Sequence, residues 1–340
     1  MPNSLEIISH GGPEVLKLVS KPSQALKHQD VKIAVSACGV NFADIMMRVG
    51  LYPEAPKLPF VPGYEVAGKI IALGSDVKNF QLGDSVLAGC KFGGYTTEIV
   101  LPSFQVRKIP KNLTEIEAAS IIVNFITAWV ALCEMARVRS GDRVLIQSAA
   151  GGVGIAATQI AALEGAQVIG LVGSIEKKDT VCEFGAHEVW INEHWESALD
   201  TEVGKFDIIL DCTGGNSLKR SFRRLTPGGR VISYGFSKLI GGHKRSIIHG
   251  ITELLKTPLF MPLQLMKQNK GIFGLNMLNF FDETQGFFSP MRKSLDKVLD
   301  KFEQGKLRTK IGKTFPLAHG GEAHAYLQSR KNVGKIILLN

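Results

Sequence analysis

The chain is poor in cysteine, in long apolar runs and in blocks of one charge. Its five cysteines, Cys38, Cys90, Cys133, Cys182 and Cys212, are dispersed and form no CxxC pair. An odd, scattered set excludes a disulfide framework and a closely spaced thiolate metal site, and fits a reducing compartment. The longest apolar stretch, Ala118 to Cys133, is interrupted by Ser120, Asn124 and Thr127 and stops at Glu134. It falls short of the ~20 residues a membrane span needs. Residues 1–20 alternate and carry charges early, so no signal peptide is expected. No internal repeat or low-complexity segment is evident. The formal charge is +9, from 40 Lys and Arg against 31 Asp and Glu, but the basic residues cluster only as pairs such as Lys177-Lys178, Arg223-Arg224 and Lys244-Arg245. That scatter argues against nucleic-acid binding and leaves a general preference for anions. His319 and His324, like His243 and His249, lack the one-turn pairing of HExxH, and all four are read as surface or loop histidines. A cytoplasmic protein without a metal site is expected.

Glycine, in contrast, is abundant: 36 of 340 residues, well above the usual ~7%. Such an excess points to tight turns or to a backbone that approaches a ligand closely. The glycines fall into two textures. Residues 1–110 are broken by Gly and Pro every few positions around short apolar runs (Val31–Val35, Val66–Leu73, Ser85–Ala88), as in a β domain with many turns. Residues 116–235 repeat a strand-then-helix rhythm. Strands are expected at Arg143–Gln147, Gln167–Val172, Val189–Ile191, Phe206–Leu210 and Arg230–Tyr234. Helices are expected at Gly154–Leu163, Glu176–Phe184 and Ser217–Leu225, the last stopped by Pro227-Gly228-Gly229. This rhythm predicts βαβ units and a parallel sheet. Gly271–Leu275 reads as a sixth strand, Met291–Gln304 as a helix, and Lys335–Leu339 as a strand that returns to the N-terminal texture.

Between the first strand and its helix lies Gln147-Ser148-Ala149-Ala150-Gly151-Gly152-Val153-Gly154. A dinucleotide fold needs glycine here for a tight turn, for access of the backbone to a pyrophosphate, and for close packing of helix on sheet. Amide groups at the helix start then hold the phosphates. Ala149 replaces the first glycine of GxGxxG, while Gly151 and Gly154 keep the other two. An acidic residue closing the second strand would bind a ribose 2′-hydroxyl. Gly173 stands there instead, followed by Ser174, Glu176, Lys177 and Lys178. This favours NADPH over NADH, the lysines leaving charge for a 2′-phosphate.

A longer series of motifs carries a family resemblance over nearly the whole chain. It runs through Gly11-Gly12-Pro13-Glu14-Val15-Leu16, Cys38-Gly39-Val40-Asn41-Phe42-Ala43-Asp44, Gly50-Leu51-Tyr52-Pro53, Pro62-Gly63-Tyr64-Glu65-Val66-Ala67-Gly68, Gly83-Asp84-Ser85-Val86 and Ala149–Gly154. The chain resembles the zinc-independent quinone oxidoreductases of the medium-chain dehydrogenase/reductase superfamily. Its ending Arg330-Lys331-Asn332-Val333-Gly334-Lys335 and its long 236–275 segment are most similar to the branch of vesicle amine transport protein 1 (VAT-1) homologues. The resemblance implies an α/β fold in two parts: a doubly wound Rossmann parallel sheet at 127–276, and a mostly β GroES-like catalytic domain at 1–126 completed by 277–340. Where zinc-bearing members have Cys, His and Cys, this chain has Asn41, Tyr64 and Val123, and the four cysteines of the structural zinc lobe are absent. Asp44 and Glu65 are read as structural acids.

The resemblance also implies roles for single residues. Asn41 is expected at the nicotinamide and Tyr52 as donor to the developing oxyanion, these two being the catalytic candidates. Asn41, Thr127, Ala150, Gly151, Gly152, Val153, Gly154, Gly173, Ser174, Lys177, Asn192, Phe236, Asn332 and Lys335 are the cofactor-binding candidates. Met46 stands where many quinone reductases have a second pocket tyrosine, and Asn192 where some have a tyrosine near the adenine. The expected activity is NADPH-dependent reduction of quinones, enones or similar activated carbonyls by a homodimer. The alternatives are an enoyl-thioester reductase and a membrane-associated, NADPH-binding protein with little turnover. In that last case 236–275, with Leu254-Leu255, Leu259-Phe260-Met261 and Leu263, would be a peripheral membrane surface. The same segment also reads as a subunit interface or lid.

Overall fold

Strands buried on both faces need near-continuous apolar sequence, and Val144, Leu145 and Ile146 supply it at the centre of the second half of the chain, each fully buried. A computed structural model describes all residues except 193–194, 196–204, 240–251, 253–255 and 281–287. Lys244-Arg245, His243, His249 and Leu254-Leu255 therefore lie outside the described residues. The rest forms two units: Met1–Val123 with Phe281–Asn340, and Asn124–Gly241 with Ser246–Phe280.

The second unit holds a six-stranded parallel sheet. Its spatial order is Glu188–Ile191, Gln167–Val172, Arg143–Gln147, Phe206–Asp211, Leu225–Ser233 and Gly271–Gly274. Numbered along the chain, that is 3-2-1-4-5-6, the doubly wound dinucleotide-binding order, with the switch point between the strands ending at Gln147 and Asp211. Helices Gly152–Leu163, Lys178–Glu183 and Asn216–Arg223 connect the strands. Apolar side chains from both elements, among them Leu145, Ile209, Leu218 and Phe222, pack into one core.

Two local expectations differ from the structure. The Glu176–Phe184 helix is a 3-10 turn at Ile175–Lys177 followed by a short helix from Lys178. Pro227-Gly228-Gly229 does not stop the preceding helix. That helix ends at Arg223, and the Pro-Gly-Gly lies inside the next strand, where the pairing slips between Phe206 and Ile208. A strand can absorb such residues where its pairing is interrupted.

The first unit is mostly antiparallel. The eleven-residue strand Asp30–Val40 pairs with Glu65–Leu73, Glu98–Pro102 and Lys335–Leu339. Ser85–Gly89 and Val106–Lys108 extend the sheet on one side. On the other side, Ile311–Pro316 joins the last strand in parallel. A Cβ on Gly68 would lie 2.0 Å from the carbonyl oxygen of Ala34, so only glycine permits this close crossing.

Candidate active site

In the second unit, Arg143–Gln147 runs into the helix that starts at Gly152 through the glycine-rich turn. Gly151 caps that helix in an extended conformation, and no side chain occupies the cap. A Cβ on Gly154 would come within 2.3 Å of Ser148 O and 2.6 Å of Ala149 Cα. The helix therefore packs against the backbone of the turn so closely that only glycine fits, and its N-terminus is the arrangement that receives a phosphate. The left-handed residue of the turn is Ser148 (φ 52°), not one of its glycines. Ala150 is buried beside it. A Cβ on Gly152 would meet the Asn124 side chain at 2.5 Å. Asn124 lies three residues before Thr127 on helix Ile122–Trp129, so both buried polar side chains share a face. The sequence reading passed over Asn124, whose amide stands against the turn. Its only signal was that helical spacing from Thr127.

At the end of the second strand, Gly173 is exposed. A Cβ there would meet nothing closer than the Asn192 amide nitrogen at 3.8 Å. The Ser174 hydroxyl donates to the Glu176 carboxylate and draws its pKa down. Partial burial pushes the Lys177 ammonium pKa down, against the opposing pull of Glu176. Open, exposed Gly173 is thus followed within four residues by one cation, Lys177, and one anion, Glu176. Phe236 follows the fifth strand and crowds Gly214, whose Cβ would fall 2.7 Å from its ring.

Between these pieces lies a buried carboxylate that the sequence did not reveal. Asp211 Oδ1 accepts from the backbone amides of Thr213 and Gly214, each at 2.9 Å. Its Oδ2 accepts from Gln147 Nε2 (2.9 Å), Ser221 Oγ (2.8 Å) and Ser217 Oγ (3.2 Å). Thr213 Oγ1 donates back to Gln147 Oε1 at 2.7 Å. Five donors compensate the desolvation of the carboxylate and tie the two strands at the switch point to helix Asn216–Arg223.

In the first unit, Asn41 precedes helix Phe42–Arg48, and its backbone N–H donates to Asp44 Oδ2 at 2.8 Å. Its amide is held at both ends. Lys335 Nζ donates to its Oδ1 at 2.6 Å, and its Nδ2 donates to Gly39 O and Glu65 Oε1 at 3.3 Å. Lys335 Nζ also pairs with Glu65 Oε1 at 2.5 Å, and Glu65 Oε2 accepts from Val123 N at 2.9 Å. Gly39 makes room, since a Cβ there would lie 2.4 Å from Glu65 Oε1. Lys335, only 3% exposed, is thus a buried partner of Asn41 and not a surface cation. The amide nitrogen of Asn332 donates to Gly334 O at 3.3 Å. Tyr52 is half-buried, and burial raises its phenol pKa against the pull of the nearby Tyr64 hydroxyl. Met46 is buried below the same loop.

The reading of His324 as a surface histidine is corrected. It is fully buried: its Nε2 lies 3.1 Å from the Tyr95 hydroxyl, and its Nδ1 accepts from Arg48 Nε at 3.3 Å. Tyr95 in turn donates to Asp44 Oδ2 at 2.8 Å. Burial lowers the His324 pKa to about 3, helped by Arg48, and burial raises Asp44 to about 7 against its hydrogen bonds. Arg48 lies 276 positions away in sequence, which is why spacing alone could not reveal this contact. His319 is exposed and pairs with Glu322.

The positions that would face a catalytic zinc do not suit one. The Asn41 amide is already held by an ammonium and a carboxylate, Val123 has no donor atom, and burial keeps the Tyr64 phenol protonated. Nearby, burial pushes the Cys38 thiol pKa up to about 12. Among the described residues, no group of three or more His, Cys, Asp or Glu could hold a metal ion.

This glycine-rich turn, switch point and accompanying β unit define the class of protein, and comparison with known proteins narrows it. Residues 27–111 match the Alcohol dehydrogenase GroES-like domain, and residues 184–338 match the Zinc-binding dehydrogenase domain. The synaptic vesicle membrane protein VAT-1 homolog of Homo sapiens is 33% identical over 98% of this chain and 86% of its own length. The quinone oxidoreductase of Homo sapiens is 33% identical over 99% and 97%. The crystal structure of the human VAT-1 homolog-like protein superposes with a TM-score of 0.85 at 29% identity, over 100% of this chain and 98% of that one. A mycobacterial structure complexed with NADPH superposes at 0.84 and 28% identity, with both chains fully covered. The chain belongs to the quinone oxidoreductase and VAT-1 family of the medium-chain dehydrogenases/reductases, and its fold and relatives make it an oxidoreductase of that type.

Proposed function

We propose that the chain is an NADPH-dependent, zinc-independent reductase of quinones or similar activated alkenes and carbonyls. The observation that supports this reading is the Ser148–Gly154 turn, which packs so closely on the start of its helix that only glycine fits at 154. Its backbone and Asn124 would hold the pyrophosphate, and Ser174 and Lys177 beside open Gly173 would take the 2′-phosphate. When bound, NADPH supplies the hydride. A quinone needs no metal to polarise it, because its reduced anion is delocalised and positioning does most of the work. Asn41, locked by Lys335 and Glu65, offers a fixed amide. Tyr52 donates to the oxygen on which charge develops. The NADPH complex of the mycobacterial relative supports the cofactor, and the quinone oxidoreductase relative supports the substrate class.

A homodimer in the cytoplasm completes the reading. Gly271–Gly274 is the outer strand of its sheet, and Phe273, Leu259, Met261, Leu263 and Met266 around it are exposed. A second copy covering that edge would remove both liabilities. The same apolar surface supports peripheral membrane contact as its other use. No helix among the described residues is long and apolar enough to cross a membrane. The five free cysteines suit a reducing compartment.

The test is titration with NADPH and NADH by intrinsic fluorescence, followed by addition of 1,2-naphthoquinone and measurement at the nicotinamide absorbance band. NADPH binding with chelator-insensitive oxidation is the expected result. Binding without oxidation removes the quinone assignment, and no binding of either nucleotide removes the cofactor assignment.

A further inference from the structure

A fully buried guanidinium is costly unless acceptors meet its N–H groups, and Arg48 finds two of them on the helix Gly320–Gln328. Its Nη2 donates to Gln328 Oε1, its Nε to His324 Nδ1 at 3.3 Å, and its Nη1 to Gly11 O at 2.6 Å. An arginine only donates, so His324 Nδ1 is an acceptor and carries no proton. Burial, helped by the Arg48 charge, keeps the imidazole neutral, with its pKa lowered to about 3. The one ring proton therefore sits on Nε2, which donates to the Tyr95 hydroxyl oxygen at 3.1 Å. Tyr95 gives its own O–H to Asp44 Oδ2 at 2.8 Å. Every bond of this chain points one way, from Arg48 to the Asp44 carboxylate.

The same oxygen, Asp44 Oδ2, accepts the backbone N–H of Asn41 at 2.8 Å, while Oδ1 accepts Gly63 N at 3.2 Å. We propose that His324 and Tyr95 are positioning residues of Asn41: they fix the Asp44 carboxylate, and that carboxylate fixes the Asn41 backbone. This rests on the reading that Asn41 stands at the nicotinamide. The Asn41 side chain is clamped separately, by Lys335 at its oxygen and Glu65 at its nitrogen. Without the Tyr95 bond, Oδ2 can turn about the Asp44 side chain, and the peptide of Asn41 follows it. An amide held at its tip but loose at its root no longer keeps one position, and small displacements at a reacting centre cost rate more than affinity. Apolar side chains of similar volume would stabilise such an interior about as well. What the polar chain adds is a single geometry, and through it the last helix of the sequence sets the place of a residue near its start.

The test compares two side chains of one shape at position 324. In His324→Gln the carbonyl accepts from Arg48 and the amide donates to Tyr95, so the direction of the chain is kept. In His324→Glu the carboxylate only accepts, so it draws the Tyr95 O–H away from Asp44. Measurements are made on the full chain at pH 8, above the Asp44 value of about 7. NMR of protein labelled at its eight histidines should show His324 protonated on Nε2 alone. In His324→Glu the Asn41 backbone amide should exchange with solvent ~10-fold faster, and kcat with NADPH and 1,2-naphthoquinone should fall ~10-fold at unchanged KM. His324→Gln should restore both to within ~2-fold of wild type. Should His324→Glu fail to fold, Tyr95→Phe removes the same O–H and should give the same losses. A proton on His324 Nδ1, an unmoved Asn41 amide, or equal losses in the Gln and Glu variants overturns the proposal. Wild-type protein without quinone turnover sinks the proposed activity instead, and the tautomer and the Asn41 amide then decide this inference by themselves.

Discussion

At Gly173 the proposed preference for NADPH rests on a missing side chain. Gly173 is exposed, and a Cβ there would have its nearest neighbour 3.8 Å away, ordinary van der Waals contact. Gly173→Asp should therefore fold normally and bring a negative charge to where a 2′-phosphate would sit. The ratio of NADPH to NADH affinity should fall at least ~10-fold, about 1.4 kcal/mol, in paired fluorescence titrations. Gly154 is the opposite case, since its Cβ would press on backbone at 2.3 Å. Gly154→Ala should weaken nucleotide binding more than ~10-fold and cost about 2 kcal/mol in urea unfolding, for want of room to relax. Both glycines were legible in the sequence because turn chemistry is local. Asn124 was not, because what makes it matter is the turn that the fold brings against its amide.

Among the elements, the parallel sheet was the most readable part of the chain. Arg143–Gln147 and Gln167–Val172 follow apolar runs bounded by turn residues, and the structure reproduces both spans. The strand Leu225–Ser233 was misplaced because its Pro-Gly-Gly speaks locally for a turn, and the pairing slip that tolerates it is tertiary. Asp211 was invisible for a similar reason: an acid at a strand end looks like ordinary turn composition. Its donors come from Gln147 on another strand and from Ser217 and Ser221, one helical turn apart. Asp211→Ala would leave five donors around an apolar methyl. Unfolding stability should drop by about 3 kcal/mol, and NADPH affinity should fall with it as the strand ends loosen. Unchanged melting with unchanged affinity would show that the network is incidental.

For the whole molecule, Asp44 and His324 make opposite demands on pH. The native state raises Asp44 to about 7, so its contribution is complete below the ordinary carboxylate range and fades as pH rises through 7. The native state lowers His324 to about 3, so its contribution is complete above about 6.5 and fades as pH falls toward 3. Between about pH 4 and 6.5 one group holds an extra proton in the folded state while the other holds one fewer, and the two slopes cancel. Wild-type thermal stability should be flat there with respect to this pair. His324→Gln keeps a polar group between Arg48 and Tyr95 but does not titrate. It should expose the Asp44 slope, with stability falling as pH rises by up to about 1.4 kcal/mol per unit. A variant whose melting temperature stays as flat as wild type across that range would refute the pairing.

The strand Asp30–Val40 also sets the order in which the protein is made. Glu65–Leu73 lies along one edge of it and Glu98–Pro102 along the other as far as Ala34, and on that second edge Ala37–Val40 waits for Ile336–Leu339. The described second unit draws its sheet from a continuous run between Arg143 and Gly274. A ribosome therefore delivers all six strands of that parallel sheet while the sheet of the first unit still lacks Ile311–Pro316 and Lys335–Leu339. In the interval, Ala37–Val40 offers unpaired backbone to any passing strand. That edge of the strand stays open until Lys335–Leu339 has been synthesised.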